Sequence, residues 1–83
     1  MPKITVFSTA TCVFCRMLKE YLTKNSFAYE EVLIDKYPEQ AQTSFAVCGS
    51  MGVPCTQIEL DDGREESVLG FDKAKFDHLL GLT

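Results

Sequence analysis

With 83 residues, 46% of them hydrophobic, the chain has material for a single domain over 1–83. Its net charge of −4, with acids gathered at Glu30-Glu31, Asp61-Asp62 and Glu65-Glu66, leaves no basic stripe for a phosphate backbone, so nucleic acid is not an expected partner. No run reaches the roughly 18 apolar residues of a membrane span, and Met1-Pro2-Lys3-Ile4-Thr5 is not an apolar leader; the expectation is a cytoplasmic protein with no membrane association.

Taken in chain order, Ile4-Thr5-Val6-Phe7 reads as a buried strand that ends in the small polar loop Ser8-Thr9-Ala10-Thr11. A helix follows from Val13 to about Lys24, with Phe14, Leu18, Tyr21 and Leu22 at helical spacing, Thr11 as the expected N-cap and Lys24-Asn25 as the stop. Lys3, Arg16, Lys19 and Lys24 are spaced rather than massed and read as solvated charges. Tyr29 to Ile34 is strand-like. Pro38 suits the first turn of a second helix that carries Ala41, Phe45 and Cys48 inward and ends at Gly49. A helix between two apolar strands implies that they run parallel, as a βαβ unit.

The second half changes character. Cys55 to Leu60 and Glu65 to Leu69 form an antiparallel hairpin about the turn signal Asp62-Gly63. Asp72 caps a last helix whose inner face is Phe76, Leu79 and Leu80, with Phe71 and Phe76 spaced as a hydrophobic staple. The fold class is therefore α/β, in the order β-α-β-α-β-β-α, with a four-stranded mixed sheet and three helices.

The chemistry is concentrated in Cys12-Val13-Phe14-Cys15, where a strand runs into a helix. Unpaired N–H groups and the helix dipole favour a thiolate at Cys12, whose pKa is expected to fall from roughly 8.5 into the range of about 3.5 to 7.5. Cys15 lies one turn on, placed to resolve a mixed disulfide formed at Cys12. Cys12 and Cys15 are thus the candidate catalytic pair, and exchange between them needs no bound cofactor or metal. Phe14 is expected partly exposed over the dithiol as an apolar contact for partners. Cys48 reads as a core thiol. Cys55 reads either as a small strand residue or as a third thiol near the site. His78 is expected at the surface, with no Cys-His relay.

Cys12-Val13-Phe14-Cys15, Val53-Pro54 and Leu69-Gly70-Phe71-Asp72 together resemble the glutaredoxin-like proteins of the thioredoxin-fold superfamily over essentially the whole chain. The resemblance implies a thioredoxin fold, a cis bond at Pro54, and substrate contacts at Phe14, Val53, Pro54, Gly70 and Phe71. It also implies a monomer that reduces protein disulfides and donates electrons to partner enzymes. Glutathione-using members usually carry Pro-Tyr between the cysteines, Lys where this chain has Thr9, Thr where it has Gly52, and Gly-Gly near Leu69-Gly70. The Val after Cys12, Asp35-Lys36-Tyr37-Pro38-Glu39 and Gly70-Phe71 instead resemble the redoxins that serve ribonucleotide reductase. Two reductants follow from the resemblance: thioredoxin reductase with NADPH, or glutathione. A competing reading is a carrier domain in which Cys12, Cys15, Cys55 and Cys48 hold a metal or an iron–sulfur cluster.

Overall fold

In the computed structural model, which describes residues 2–49 and 52–82, the elements are β1 (Lys3–Ser8), α1 (Val13–Lys24), β2 (Glu30–Leu33), α2 (Glu39–Cys48), β3 (Cys55–Glu59), β4 (Glu65–Leu69) and α3 (Lys73–Leu79). The strands lie in the order β2-β1-β3-β4; β1 is parallel to β2 and antiparallel to β3, and β4 is antiparallel to β3. This is the expected thioredoxin topology, a four-stranded mixed sheet with three helices. Among the described residues no helix is long and apolar enough to cross a membrane.

Strand alternation sorts the two faces of the sheet. Ile4 pairs with Ile58 and Val6 with Thr56, which in turn pairs with Val68. The apolar members of these rows join Leu18, Tyr21 and Leu22 of α1 and Phe76 of α3 in one buried cluster. Phe71 packs against it as the staple requires, its ring centroid 5.6 Å from Tyr21 and 6.2 Å from Phe76. Asp72 caps α3 by accepting the Lys75 N–H at 3.2 Å. The Tyr21 hydroxyl donates to Asp77, which also accepts from Lys73 at 2.8 Å, so α3 is fastened to α1 by a polar latch as well as by rings.

Three sequence expectations are corrected here. Ser8, read as loop, is the last residue of β1 and is fully buried, because its hydroxyl donates to Glu31 on the neighbouring strand at 2.9 Å. In α2 the expected inner face of Ala41, Phe45 and Cys48 is rotated: Ser44 is the buried residue, and Phe45 is 49% exposed. Small side chains at Ala41, Ser44 and Cys48 let the helix lie close on β3 and β4, which turns Phe45 outward. Pro38 is the N-cap of this helix rather than part of its first turn. Gly49 ends it in the left-handed region, φ 69°, with its N–H on the Phe45 carbonyl at 2.7 Å.

Candidate active site

Cys12, not the expected Thr11, is the N-cap of α1. Its backbone is extended (φ −83°, ψ 114°) and its Sγ accepts the Cys15 N–H at 3.1 Å, so sulfur takes the place usually filled by a hydroxyl or carboxylate oxygen. The two sulfurs form a disulfide across one helical turn, their Cα atoms 5.2 Å apart. They are not equally open: Cys15 is buried at 1% exposure, whereas Cys12 is only partly covered. A thiolate arriving from solvent therefore meets Cys12 and expels Cys15.

The preceding loop is held from β2 and the turn after it. Ser8 O accepts the Ile34 N–H at 2.9 Å, and the Ala10 N–H donates to Asp35 Oδ2 at 3.2 Å. Glu31, which accepts from Ser8, is also paired with Lys19 at 2.6 Å. The Lys19 ammonium beside it, helped by the Ser8 hydroxyl, holds the Glu31 carboxyl below its ordinary range. Ser8, Glu31, Asp35 and Lys19 are thus positioning residues for the loop that carries Cys12. No local signal in the sequence marks them.

Strand register gathers the remaining candidates. Phe7, Cys55 and Leu69 form one row across β1, β3 and β4, so the chain enters or leaves the sheet at a common end through Ser8, Pro54 and Gly70. The Val53–Pro54 bond is cis, as the resemblance implied, and Pro54 is buried. The Gly70 N–H donates to the Pro54 carbonyl at 2.8 Å, from a backbone at φ 80° that a side chain would strain. Among the described residues the Val53 N–H and C=O take part in no hydrogen bond. Val13 and Phe14 are 63% and 60% exposed, and with Met17 on the same helix they present an apolar surface. Phe71 is partly buried, its ring engaged with Tyr21 and Phe76. Arg16 is exposed and lines a groove on the β2 side of α1 with Lys19, Lys24 and Tyr29.

Cys55 and Cys48, read separately in the sequence, are joined. They form a second disulfide with Cα atoms 6.1 Å apart, and Cys55 is fully buried. The sulfur considered as a third thiol is thus bonded to α2. Closing a loop with a sequence separation of 7 stabilises the fold by about 2.5 kcal/mol in the chain-entropy account. The two cysteines lie on different elements, and no spacing rule links a helix end to a strand start across a turn of this length. Among the described residues no group of three or more His, Cys, Asp or Glu side chains is arranged to hold a metal ion.

One sulfur open to attack beside a shielded partner is what disulfide exchange requires, and on this sheet it defines a thioredoxin-fold thiol–disulfide oxidoreductase. The model of the Glutaredoxin family matches residues 4–62, and the chain belongs to that family. It is 30% identical over 77 residues to an uncharacterised glutaredoxin-like 8.6 kDa protein in the rubredoxin operon of Clostridium pasteurianum, covering 93% of this chain and 96% of that one. A 36-residue segment is 39% identical to the glutaredoxin-like protein NrdH of Lactococcus lactis, covering 43% of this chain and 50% of NrdH. The crystal structure of a substituted thioredoxin-like protein, 31% identical, superposes with a TM-score of 0.80 over 100% of both chains.

Proposed function

We propose that this oxidoreductase acts on disulfides of partner proteins in the cytoplasm, as a monomer, and is recharged by a flavoprotein thioredoxin reductase with NADPH rather than by glutathione. The observation that carries this is the exposure of Val13 and Phe14, 63% and 60%, on the turn that bears Cys12. An apolar surface there suits a protein partner, whereas glutathione, a small ion with two carboxylates and an ammonium, needs paired charges. Thr9 stands where glutathione-using members carry Lys.

The Cys12 thiolate, supported by the Cys15 N–H, attacks one sulfur of the partner's disulfide; a Cys12–partner bond forms as the partner's own bond breaks and its second sulfur leaves with the electron pair. Cys15 then loses its proton and attacks Cys12 Sγ, which closes the intramolecular disulfide and releases the partner reduced by two electrons. An extended partner segment pairs with the open Val53 backbone while Phe14 covers the joint. Ribonucleotide reductase is the partner favoured by the resemblance of Asp35-Lys36-Tyr37-Pro38-Glu39 to its redoxins and by the likeness to NrdH.

The test supplies a protein disulfide together with either thioredoxin reductase and NADPH, or glutathione and its reductase. Faster turnover with the first supports the reading. Equal or faster turnover with glutathione alone overturns the choice of reductant.

A further inference from the structure

We propose that Cys48–Cys55 is a second redox couple, separate from the exchanging dithiol, whose oxidised form locks the docking segment Val53-Pro54 and whose reduction loosens it. This rests on the reading of Val53 as the docking backbone.

Three observations carry it. First, α2 lies on the sheet through small side chains. Its buried residue is Ser44, whose hydroxyl has no partner among the described residues, and its large apolar side chain, Phe45, faces out. The disulfide adds a covalent tie from the end of this helix to the start of β3. Second, Cys55 directly follows Pro54, so the disulfide ties the residue next to the docking backbone to the end of α2. Third, the sulfurs differ in access and both have somewhere to go when reduced. Cys55 is fully buried and Cys48 only partly. Cys55 Sγ lies 3.5 Å from the Ser44 carbonyl and Cys48 Sγ 3.8 Å from that of Val68, acceptors to which the free thiols can donate.

The step follows from that asymmetry. The thiolate of a protein dithiol attacks Cys48 Sγ, the Cys48–Cys55 bond breaks, and Cys55 leaves with the electron pair and takes a proton. The reductant's second thiol then attacks its own sulfur in the mixed disulfide and releases Cys48, which is protonated in turn. Two electrons and two protons pass to the chain, and the donor ends as a disulfide. Without the bond, the last turn of α2 is free to leave β3, and a smaller fraction of molecules presents Val53 ready for docking.

The test has two arms. In C12S/C15S, which keeps only this couple, the folded protein is titrated with dithiothreitol, thiols are counted by mass after alkylation, and amide exchange is followed at Gly49. The expected result is two thiols appearing together and reversibly at constant circular dichroism, with Gly49 exchange at least about tenfold faster. Thiols that appear only on unfolding, or unchanged Gly49 exchange, overturn the proposal. In C48A/C55A, with Cys12 and Cys15 intact, KM for insulin should rise about fivefold at unchanged kcat; an unchanged KM overturns the lock. Failure of the unaltered protein to reduce insulin would instead refute the proposed function and leave the thiol count readable.

Discussion

Cys15 donates its backbone N–H to Cys12 Sγ across 3.1 Å, so the residue proposed to close the disulfide also supports the sulfur proposed to attack. In the reduced protein this bond and the helix start favour a thiolate at Cys12, and the burial of Cys15 keeps its thiol from competing. The pH profile of iodoacetamide alkylation should place Cys12 below the ordinary thiol value of about 8.5, with Cys15 unreacted. Equal labelling of the two cysteines would remove the asymmetry on which the assigned roles depend.

Thr56 lies fully buried on the core face, paired with Val6 and Val68, and its hydroxyl has no partner among the described residues. T56V keeps the shape and removes the stranded oxygen, so it should stabilise the fold by about 1 kcal/mol. Denaturant unfolding measures this; a loss of similar size would mean that the hydroxyl is satisfied.

The latch between α1 and α3 contributes a pH dependence on the alkaline side. Burial first, then the bond to Asp77, pushes the Tyr21 hydroxyl above its ordinary value of 10.0, so the folded protein holds a proton that the unfolded chain gives up. Its contribution to stability is therefore complete below pH 10 and falls as pH rises through that value and beyond. Y21F should cost about 1 kcal/mol at neutral pH and flatten the loss of stability on the alkaline side.

At the acid end the sign is reversed. Glu31 is held below its ordinary 4.5 by Lys19 and Ser8, so its contribution is present above that pH and is lost as pH falls below it toward the folded-state value. The pair is partly exposed, with side chains 31% and 26% accessible, which limits the effect to about 1 kcal/mol or less. E31Q should unfold with a shallower pH dependence below 4.5 than the unaltered protein.

Features with local causes were legible in the sequence, and those made by distant contacts were not. Asp62-Gly63 demands a hairpin, Asp72 with Phe71 and Phe76 demands a capped and stapled helix, and Cys12-x-x-Cys15 at a strand-to-helix step demands a dithiol; each rests on residues a few positions apart. The inner face of α2 is not legible along the chain: Phe45 is the largest apolar residue on the helix, whereas packing selects Ser44, whose small side chain permits close approach. The Cys48–Cys55 bond, the Ser8–Glu31–Lys19 chain and the Ala10–Asp35 contact join separate elements, and nothing along the chain announces such partners. The N-cap moved from Thr11 to Cys12 because sulfur itself accepts the helical N–H.

The central claim is that Cys12 attacks and Cys15 resolves. The most direct measurement is to mix C15S, its Cys12 thiol free and its Cys48–Cys55 bond intact, with a protein disulfide, quench with acid and map the covalent adduct by mass spectrometry. The account predicts a stable mixed disulfide at Cys12 alone. An adduct at Cys48 or Cys55, or no adduct while disulfide reduction continues, would contradict it.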